Sequence, residues 1–408
     1  MSSGQLFGAL DRQPPDALLA VIGMHRADPR PDKIDVGVGV YRDASGATPV
    51  MRAVKQAEAR LLAAQPSKAY LGAEGDQRFT DLLAGIALGP ELAASDLITG
   101  VQTPGGTGAL RLGAELLARS GAGIIWVGTP TWPNHEPIFR EAGLTVRHHA
   151  YFDAEKAGID EQAFLSSLDA AAPGDVILLH GCCHNPTGTA LSPDQWQRLV
   201  AKLAERRLIP FVDLAYQGLG RDLDADAAGT RTLLAAVPEA LLAYSCDKNF
   251  ALYRERVGAL WVQSAAPETS AAVRDTMLVL ARSLWSMPPD HGAAVVRVIL
   301  EDDDLAAEWR AELDTMCARI NRLRTLLAAT HPALASIADQ QGLFALLPID
   351  AAAVEALRAQ HAIYMPASGR INIAGLNEDN VARFAAAIAP YLGDDAGAVV
   401  PDAAIASV

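Results

Sequence analysis

Cysteine is scarce in this sequence, and the spacing of the few cysteines fits no metal site. The chain of 408 residues has 4 cysteines, and no two of them are arranged as Cys-x-x-Cys. Cys182 and Cys183 are adjacent, which disfavours a relaxed disulfide between them. This pattern lacks the common zinc-binding spacings and is typical of a reduced, cytoplasmic protein. We therefore expect no metal site.

Excess basic charge and long apolar runs are also lacking. The formal net charge is -14, which disfavours general binding to nucleic acids or to anionic membranes. No uninterrupted apolar run approaches the roughly 18 residues of a membrane span. Residues 1–12 show no basic segment followed by an apolar one, so we expect no signal peptide. The sequence has no internal repeats, and its length predicts at least two domains.

The sequence does contain a series of short apolar runs separated by helical patterns. The runs cover residues 124–127, 176–179, 208–212, 241–244 and 258–262. Between two of them, Ser192 and Gln195 form a capping-box pattern around Pro193, and apolar residues then recur on one helix face. Short apolar strands alternating with helices predict an α/β fold with a mostly parallel sheet covered on both sides.

Polar side chains follow these runs at the points where the strands would end. They include Trp132, His135, Asn185, Asp213, Tyr216 and Lys248. Ligands of parallel sheets bind at the carboxyl ends of the strands. We therefore expect these residues to form one cleft.

Lys248 carries the clearest chemical implication. A lysine at the end of a buried strand is costly unless it has a partner or a task. Its amine can form a Schiff base with an aldehyde, which is a route to covalent catalysis. A lone lysine in this setting would more often be an exposed strand end. Its polar neighbours favour the catalytic interpretation.

Two glycine-rich stretches are suited to the close approach of a ligand. Residues 103–108 contain Gly105, Gly106 and Thr107 before a helical pattern, and a helix N-terminus favours phosphate. The alternative is a tight strand-to-helix turn, because neither a Walker loop nor G-x-G-x-x-G is present. Residues 34–41 alternate apolar residues with glycine, which fits close contact with a ligand or an edge strand with a bulge.

Several motifs together resemble a known family. They are His184-Asn185-Pro186-Thr187-Gly188, Asp213 with Tyr216, Ser245 with Lys248 and Arg256, and Ser368-Gly369-Arg370, in that order. From about residue 10 to residue 392 the chain resembles the class I aminotransferases that use pyridoxal phosphate, in the subgroup of aspartate and aromatic-amino-acid aminotransferases.

The resemblance implies the fold type I of pyridoxal-phosphate-dependent transferases. A large domain at 48–315 would hold a mostly parallel seven-stranded sheet flanked by helices. A smaller α+β domain would combine residues 16–47 with residues 316–392. Residues 1–15 would form an N-terminal arm, and residues 393–408 would be a disordered tail.

The resemblance also implies contacts for the cofactor, pyridoxal 5'-phosphate. Lys248 would bind its aldehyde and later move a proton, and Asp213, supported by His135, would pair with the ring nitrogen. The other contacts would be Trp132 on the ring face, Asn185 and Tyr216 at the ring oxygen, Gly106, Thr107, Ser245 and Arg256 at the phosphate, and Tyr70 at the phosphate of the neighbouring subunit. On the residues alone, the favoured interpretation of Tyr70 is a loop aromatic that packs on its own turn.

The substrate contacts follow in the same way. Arg370 would bind the α-carboxylate, and the backbone of Val38 and Gly39 would close over the substrate. Arg282 would meet a side-chain carboxylate from the other subunit. Trp132 and Asn185, already placed on the cofactor, would also touch the substrate. The expected assembly is a homodimer with shared active sites.

The implied activity is transfer of the amino group of aromatic and dicarboxylic L-amino acids to a 2-oxo acid such as 2-oxoglutarate. A strict aspartate aminotransferase is the main alternative, and a lyase or decarboxylase with the same cofactor is a further one. A non-catalytic binding protein on this scaffold would be expected to lack the lysine or the aspartate. Met287 and Trp285 make the side-chain pocket more apolar, which favours the broader specificity.

Asp247 departs from the family pattern. It lies beside Lys248, where relatives usually have a small hydroxyl residue, and a carboxylate near a phosphate is repulsive. Three outcomes are open: the side chain points away, it pairs with Arg254 or Arg256, or it weakens the affinity for the cofactor.

Overall fold

The computed structural model describes residue 7, residues 10–12 and residues 17–393. Most of the expected N-terminal arm and all but the first residue of the expected tail lie outside the described residues. The strands are β1 (Ile34–Asp35), β2 (Ile98–Pro104), β3 (Ile124–Thr129), β4 (Thr145–Ala150), β5 (Phe152–Asp153), β6 (Gly158–Ile159), β7 (Val176–His180), β8 (Ile209–Leu214), β9 (Ala240–Ser245), β10 (Val257–Gln263), β11 (Phe344–Leu346), β12 (Ile363–Tyr364) and β13 (Arg370–Asn372).

Helices connect and cover these strands. They are α1 (Ala17–Ala27), α2 (Arg52–Ala64), α3 (Gln77–Ala87), α4 (Pro90–Ala93), α5 (Gly105–Arg119), α6 (His135–Glu141), α7 (Glu161–Ser167), α8 (Pro193–Arg206), α9 (Leu223–Ala236), α10 (Pro267–Leu284), α11 (Asp290–Leu300), α12 (Asp303–Ala328), α13 (Ala351–His361) and α14 (Val381–Ile388). Within the described part of the chain, we find no helix with the length and apolar character needed to cross a membrane.

The central sheet has 7 strands in the order β2-β10-β9-β8-β7-β3-β4. The neighbouring strands from β9 to β4 pair in parallel, whereas β10 is antiparallel to β2 and β9. Each apolar run of the sequence is one of these strands. The predicted α/β fold with a mostly parallel, seven-stranded sheet is confirmed.

The reversal at β10 follows from its short connection. Residues 246–256 contain no helix, and strands joined without a crossover element pair antiparallel. The two ends of this connection are tied together, because the Cys246 N–H donates to the Val257 carbonyl at 2.9 Å. Lys248 is therefore held in a loop between two buried strands.

Both faces of the sheet are covered by helices. Successive strand residues point to opposite faces, so Phe211 and Leu260 pack with residues of α5 on one side. Val212 and Trp261 pack with residues of α2, α11 and α12 on the other side. A Cβ on Gly113 would lie 2.4 Å from Phe211 Cζ, which shows how closely α5 approaches the sheet.

Two small sheets join distant parts of the chain. β1 pairs in parallel with β12, and β11 pairs antiparallel with β13. The Asn372 side chain donates to the carbonyls of Val38 and Val40 at 2.6 and 2.7 Å. This fixes the loop after β1 beside β13, so Arg370 and Gly39 come to the same region.

Candidate active site

A cavity of about 260 Å³ lies at the carboxyl ends of the central strands. The sheet register places His180 opposite Asp213 and Asp213 opposite Ala243, so the side chains that follow these strands converge. The predicted site residues that line the cavity are Gly39, Gly106, Thr107, Trp132, Asn185, Asp213, Tyr216, Ser245, Lys248 and Arg256. The expected single cleft is therefore present.

Lys248 enters this cavity with a perturbed amine. Its Nζ lies 3.5 Å from Ser245 Oγ and 5.1 Å from the centre of the Tyr216 ring. Burial lowers the pKa of Lys248, and the nearby Arg256 acts in the same direction. Asp247 and Asp213 oppose this shift but do not cancel it. The neutral amine, which can act as a nucleophile or a base, is more accessible here than in water.

Asp213 also lines the cavity and is held by a buried histidine. His135 Nε2 lies 3.1 Å from Asp213 Oδ2, and His135 Nδ1 lies 2.8 Å from Thr131 Oγ1. Burial by itself would raise the pKa of Asp213, but the hydrogen bond from His135 and the surrounding positive groups outweigh it. The pKa is lowered as a result, so Asp213 is an anion that can pair with a cationic ring nitrogen.

The N-terminus of α5 forms a concave surface suited to an anion. No side chain caps this helix, so its first N–H groups are free to bind a ligand. Gly105 has φ of 69°, and a Cβ there would lie 2.7 Å from Arg256 Nη2. A Cβ on Gly106 would lie 3.1 Å from Ser245 Cβ. The two glycines therefore leave room at a point where arginine, serine and a helix end meet.

Arg370 is a buried cation beside this cavity. Its Nη1 donates to Asn185 Oδ1 at 3.4 Å, and its Nη2 donates to the Gly37 carbonyl at 2.9 Å. Its guanidinium lies 4.5 Å from the centre of the Phe344 ring. Within residues 17–393 no acidic side chain is paired with Arg370, and its buried Nε has no hydrogen-bond partner. A carboxylate ligand would satisfy both the charge and the unpaired N–H.

The structure explains why glycine is needed in the stretch at 34–41. Only Ile34–Asp35 belongs to a strand, so the edge-strand alternative explains little of it. A Cβ on Gly39 would lie 2.8 Å from Phe344 Cζ, and Gly39 lines the cavity. This position therefore requires glycine for close packing beside the ligand space.

Tyr70 and Arg282 do not reach the cavity of their own chain. Tyr70 is 92% exposed, and the exposed Arg282 donates to the Ser286 hydroxyl. The two regions lie close together, because the Leu71 N–H approaches Met287 Sδ at 3.0 Å. The structure thus places these two predicted residues on one exposed surface, away from the other site residues.

Several lining residues were given no role from the sequence. They are Leu110, His180, Ala215 and Tyr253. His180 ends β7 and belongs to the polar residues that the strand-end rule places in the cleft. Tyr253 carries no such signal: its hydroxyl accepts the Tyr41 N–H at 2.8 Å, a contact between residues that are far apart in sequence.

An α/β fold with this lysine, this aspartate and this anion-binding helix end defines an enzyme that uses pyridoxal phosphate. The model of the family described as aminotransferase class I and II matches residues 31–388. The chain belongs to that family. It is 53% identical over 384 residues to the tyrosine aminotransferase of Rhizobium meliloti, covering 93% of this chain and 98% of that protein. It is 42% identical to the aspartate aminotransferase of Escherichia coli, covering 95% of this chain and 100% of that protein.

A solved structure supports the same assignment. The aromatic-amino-acid aminotransferase of Burkholderia pseudomallei, covalently bound to pyridoxal phosphate, superposes with a TM-score of 0.92 at 36% identity. The match covers 95% of this chain and 100% of that chain. The predicted family, fold, cofactor and transaminase activity are confirmed.

Proposed function

We propose that this aminotransferase acts on both aromatic and dicarboxylic L-amino acids and passes their amino group to a 2-oxo acid such as 2-oxoglutarate. The reaction proceeds in two half-reactions at the same site. The observation that carries the use of amino-acid and 2-oxo-acid substrates is the buried Arg370, which has no acidic partner in the described chain. Every amino donor and every 2-oxo acceptor brings the carboxylate that this arginine lacks.

The residues of the cavity fit pyridoxal phosphate from ring to phosphate. Asp213, held by His135, would pair with the ring nitrogen and keep a proton there. Asn185 and Tyr216 would contact the ring oxygen, and Trp132 would cover the ring face. The free helix end at Gly106 and Thr107, together with Ser245 and Arg256, would hold the phosphate. When bound, the cofactor supplies an electron sink for the electrons left on the substrate Cα.

Lys248 is the residue that binds the cofactor and moves the proton. Its lowered pKa favours the neutral amine, which is the form that can accept the proton of the substrate Cα. The same nitrogen would return the proton to the aldehyde-derived carbon of the cofactor. Ser245 Oγ, at 3.5 Å from Nζ, limits where the amine can lie during this transfer.

Arg370 and the backbone at Val38 and Gly39 position the substrate. The guanidinium binds the α-carboxylate, and the loop after β1 excludes water on the outer side. The side-chain pocket is completed by the partner subunit. In this arrangement Arg282 of the partner subunit binds a second carboxylate, and the apolar Trp285 and Met287 near it tolerate an aromatic ring.

The chain therefore works as a homodimer, with Tyr70 of the partner subunit reaching the phosphate. Exposed apolar side chains near Arg282 support this assembly. They are Tyr70, Leu71, Val279 and Leu284. An exposed apolar cluster of this kind marks an association surface. The division into a large domain at 48–315 and a small domain at 16–47 with 316–392 belongs to the same proposal, as does a cytoplasmic location, which the four free cysteines support.

The specificity is tested by comparing kcat/KM for aspartate, phenylalanine, tyrosine and tryptophan with 2-oxoglutarate as acceptor. We expect aspartate and the aromatic donors to fall within about two orders of magnitude of one another. A preference for aspartate by many orders of magnitude would establish the strict aspartate enzyme instead. Release of ammonia or CO2 in place of a new amino acid would indicate a lyase or decarboxylase.

Two further measurements test the site itself. The purified protein should show the visible absorbance of bound cofactor, and Lys248→Ala should lose the covalently bound form. Hybrid dimers test the sharing of the sites. Subunits with Lys248→Ala and subunits with Arg282→Ala should each be poor with aspartate, but a mixture allowed to exchange subunits should regain activity. No recovery in proven hybrids would refute the shared site.

A further inference from the structure

Asp247 lies inside the proposed phosphate site, and among the described residues only one of its two carboxylate oxygens has a side-chain partner. It is buried and lines the cavity. Its Oδ2 accepts a hydrogen bond from Arg256 Nη1, which answers the question of its partner: the pair forms with Arg256. Its other oxygen, Oδ1, is buried and has no hydrogen-bond partner among the residues that the structure describes.

Arg256 is consequently engaged on both sides. Nη1 donates to Asp247 and also to the Tyr253 carbonyl at 3.2 Å, while Nη2 lies against Gly105 at the start of α5. The charge that a phosphate group needs from this arginine is thus already paired with a carboxylate. A phosphate dianion entering beside the buried Asp247 would also meet a like charge.

The backbone of Asp247 is fixed, although its side chain has this incomplete set of contacts. Its N–H donates to Ser245 Oγ at 3.2 Å, and the Lys248 amine donates to the same oxygen at 3.5 Å. A change of partner at Arg256 would therefore move the Asp247 side chain and leave its backbone N–H on Ser245. The Ser245 hydroxyl keeps its own proton for an acceptor in the cavity.

We propose that Asp247 is an internal competitor for the phosphate of the cofactor. Its carboxylate occupies Arg256 in the free protein and releases it when a phosphate monoester binds, which lowers the affinity for that ester. This rests on the proposed position of the cofactor phosphate. A carboxylate that merely orients an arginine would be expected to have both oxygens satisfied. Asp247 has one buried oxygen that meets no hydrogen-bond partner within residues 17–393.

The test compares the affinities for pyridoxal phosphate and for pyridoxal, which lacks the phosphate. Holoenzyme of the wild type, Asp247→Ser and Asp247→Asn is dialysed to equilibrium against a series of free cofactor concentrations, and bound cofactor is read from its absorbance. We expect Asp247→Ser to bind pyridoxal phosphate roughly tenfold more tightly, with Asp247→Asn changing in the same direction. The affinity for pyridoxal should change by less than about twofold.

Asp194→Ser is the matched control, because it removes the same charge from the exposed first turn of α8 and should leave both affinities unchanged. Unchanged or weaker binding of pyridoxal phosphate in Asp247→Ser would overturn the proposal and would make Asp247 a residue that orients Arg256. Equal tightening for pyridoxal would also overturn it, because the effect would then act through Lys248. If the wild type binds the cofactor and transaminates, either of these results leaves the proposed function intact. If the wild type neither binds the cofactor nor transaminates, the proposed function is refuted, whatever the result for Asp247→Ser.

Discussion

Replacing Arg370 by glutamine should impair all amino donors equally, because every donor has an α-carboxylate. Arg370 is 8% exposed, and among the described residues its guanidinium donates to neutral groups, Asn185 and the Gly37 carbonyl. Removing one partner of a desolvated, hydrogen-bonded charge pair costs about 2–5 kcal/mol. That corresponds to a loss of roughly 30- to 5000-fold in kcat/KM.

The assay is steady-state transamination with 2-oxoglutarate, using aspartate and phenylalanine as separate donors. Arg370→Lys is the control that keeps the charge and loses the planar fork, and it should lie between the wild type and the glutamine variant. Phe344→Leu removes the ring beneath the guanidinium, and its loss should stay below about 30-fold. A loss confined to aspartate, or a loss below about fivefold for both donors, would refute the assignment of Arg370 to the α-carboxylate.

Three other predictions follow from single contacts or charges. Gly105→Ala should weaken pyridoxal phosphate binding by about tenfold in equilibrium dialysis, since it combines strain at φ of 69° with a Cβ 2.7 Å from Arg256 Nη2. Gly121→Ala, with φ of 95° and no atom within 4 Å of the added Cβ, should lower stability and leave binding unchanged. Burial lowers the pKa of His149 from its ordinary value of 6.5 to about 4, so its contribution to stability is present above pH 6.5 and is lost as the pH falls towards 4. The free energy of unfolding, measured with urea at several values between pH 4 and pH 6.5, should therefore rise with pH more steeply in the wild type than in His149→Phe, by about 1.4 kcal/mol per pH unit. An equal pH dependence in the two proteins would contradict this. Arg282→Ala should reduce kcat/KM for aspartate by at least about tenfold and leave phenylalanine nearly unchanged; an equal loss for both donors would exclude a side-chain role.

Local signals predicted local structure well. The pattern at 192–195 forms the expected capping box at the start of α8, with Ser192 and Gln195 exchanging hydrogen bonds. All its atoms lie within one helical turn, so no distant residue is needed to complete it. The strand-end rule worked for a related reason: parallel strands fix which ends meet, so Asn185, Asp213 and Lys248 had to converge.

Contacts that depend on the path of a loop or on distant segments could not be predicted from such patterns. Asp247 had two candidate arginines in its own loop, and the structure pairs it with Arg256 because β10 returns antiparallel to β9 and Arg256 adopts φ of 56°. Tyr253 reaches the cavity through a contact with Tyr41. Neither contact is indicated by the residue spacing or the hydrophobic periodicity of the sequence.

The sequence by itself determined the set of chemical groups and their order along the chain, because this chemistry needs particular side chains after particular strands. The tertiary structure decided which charged side chains are paired with an opposite charge and which are not. Arg256 is paired with Asp247 in its own loop, whereas the buried Arg370 has no acidic partner in the described chain. Burial and the field of surrounding charges are sums over residues that are far apart in sequence. The lowered pKa of Lys248 and the availability of Arg370 therefore exist only in the folded protein.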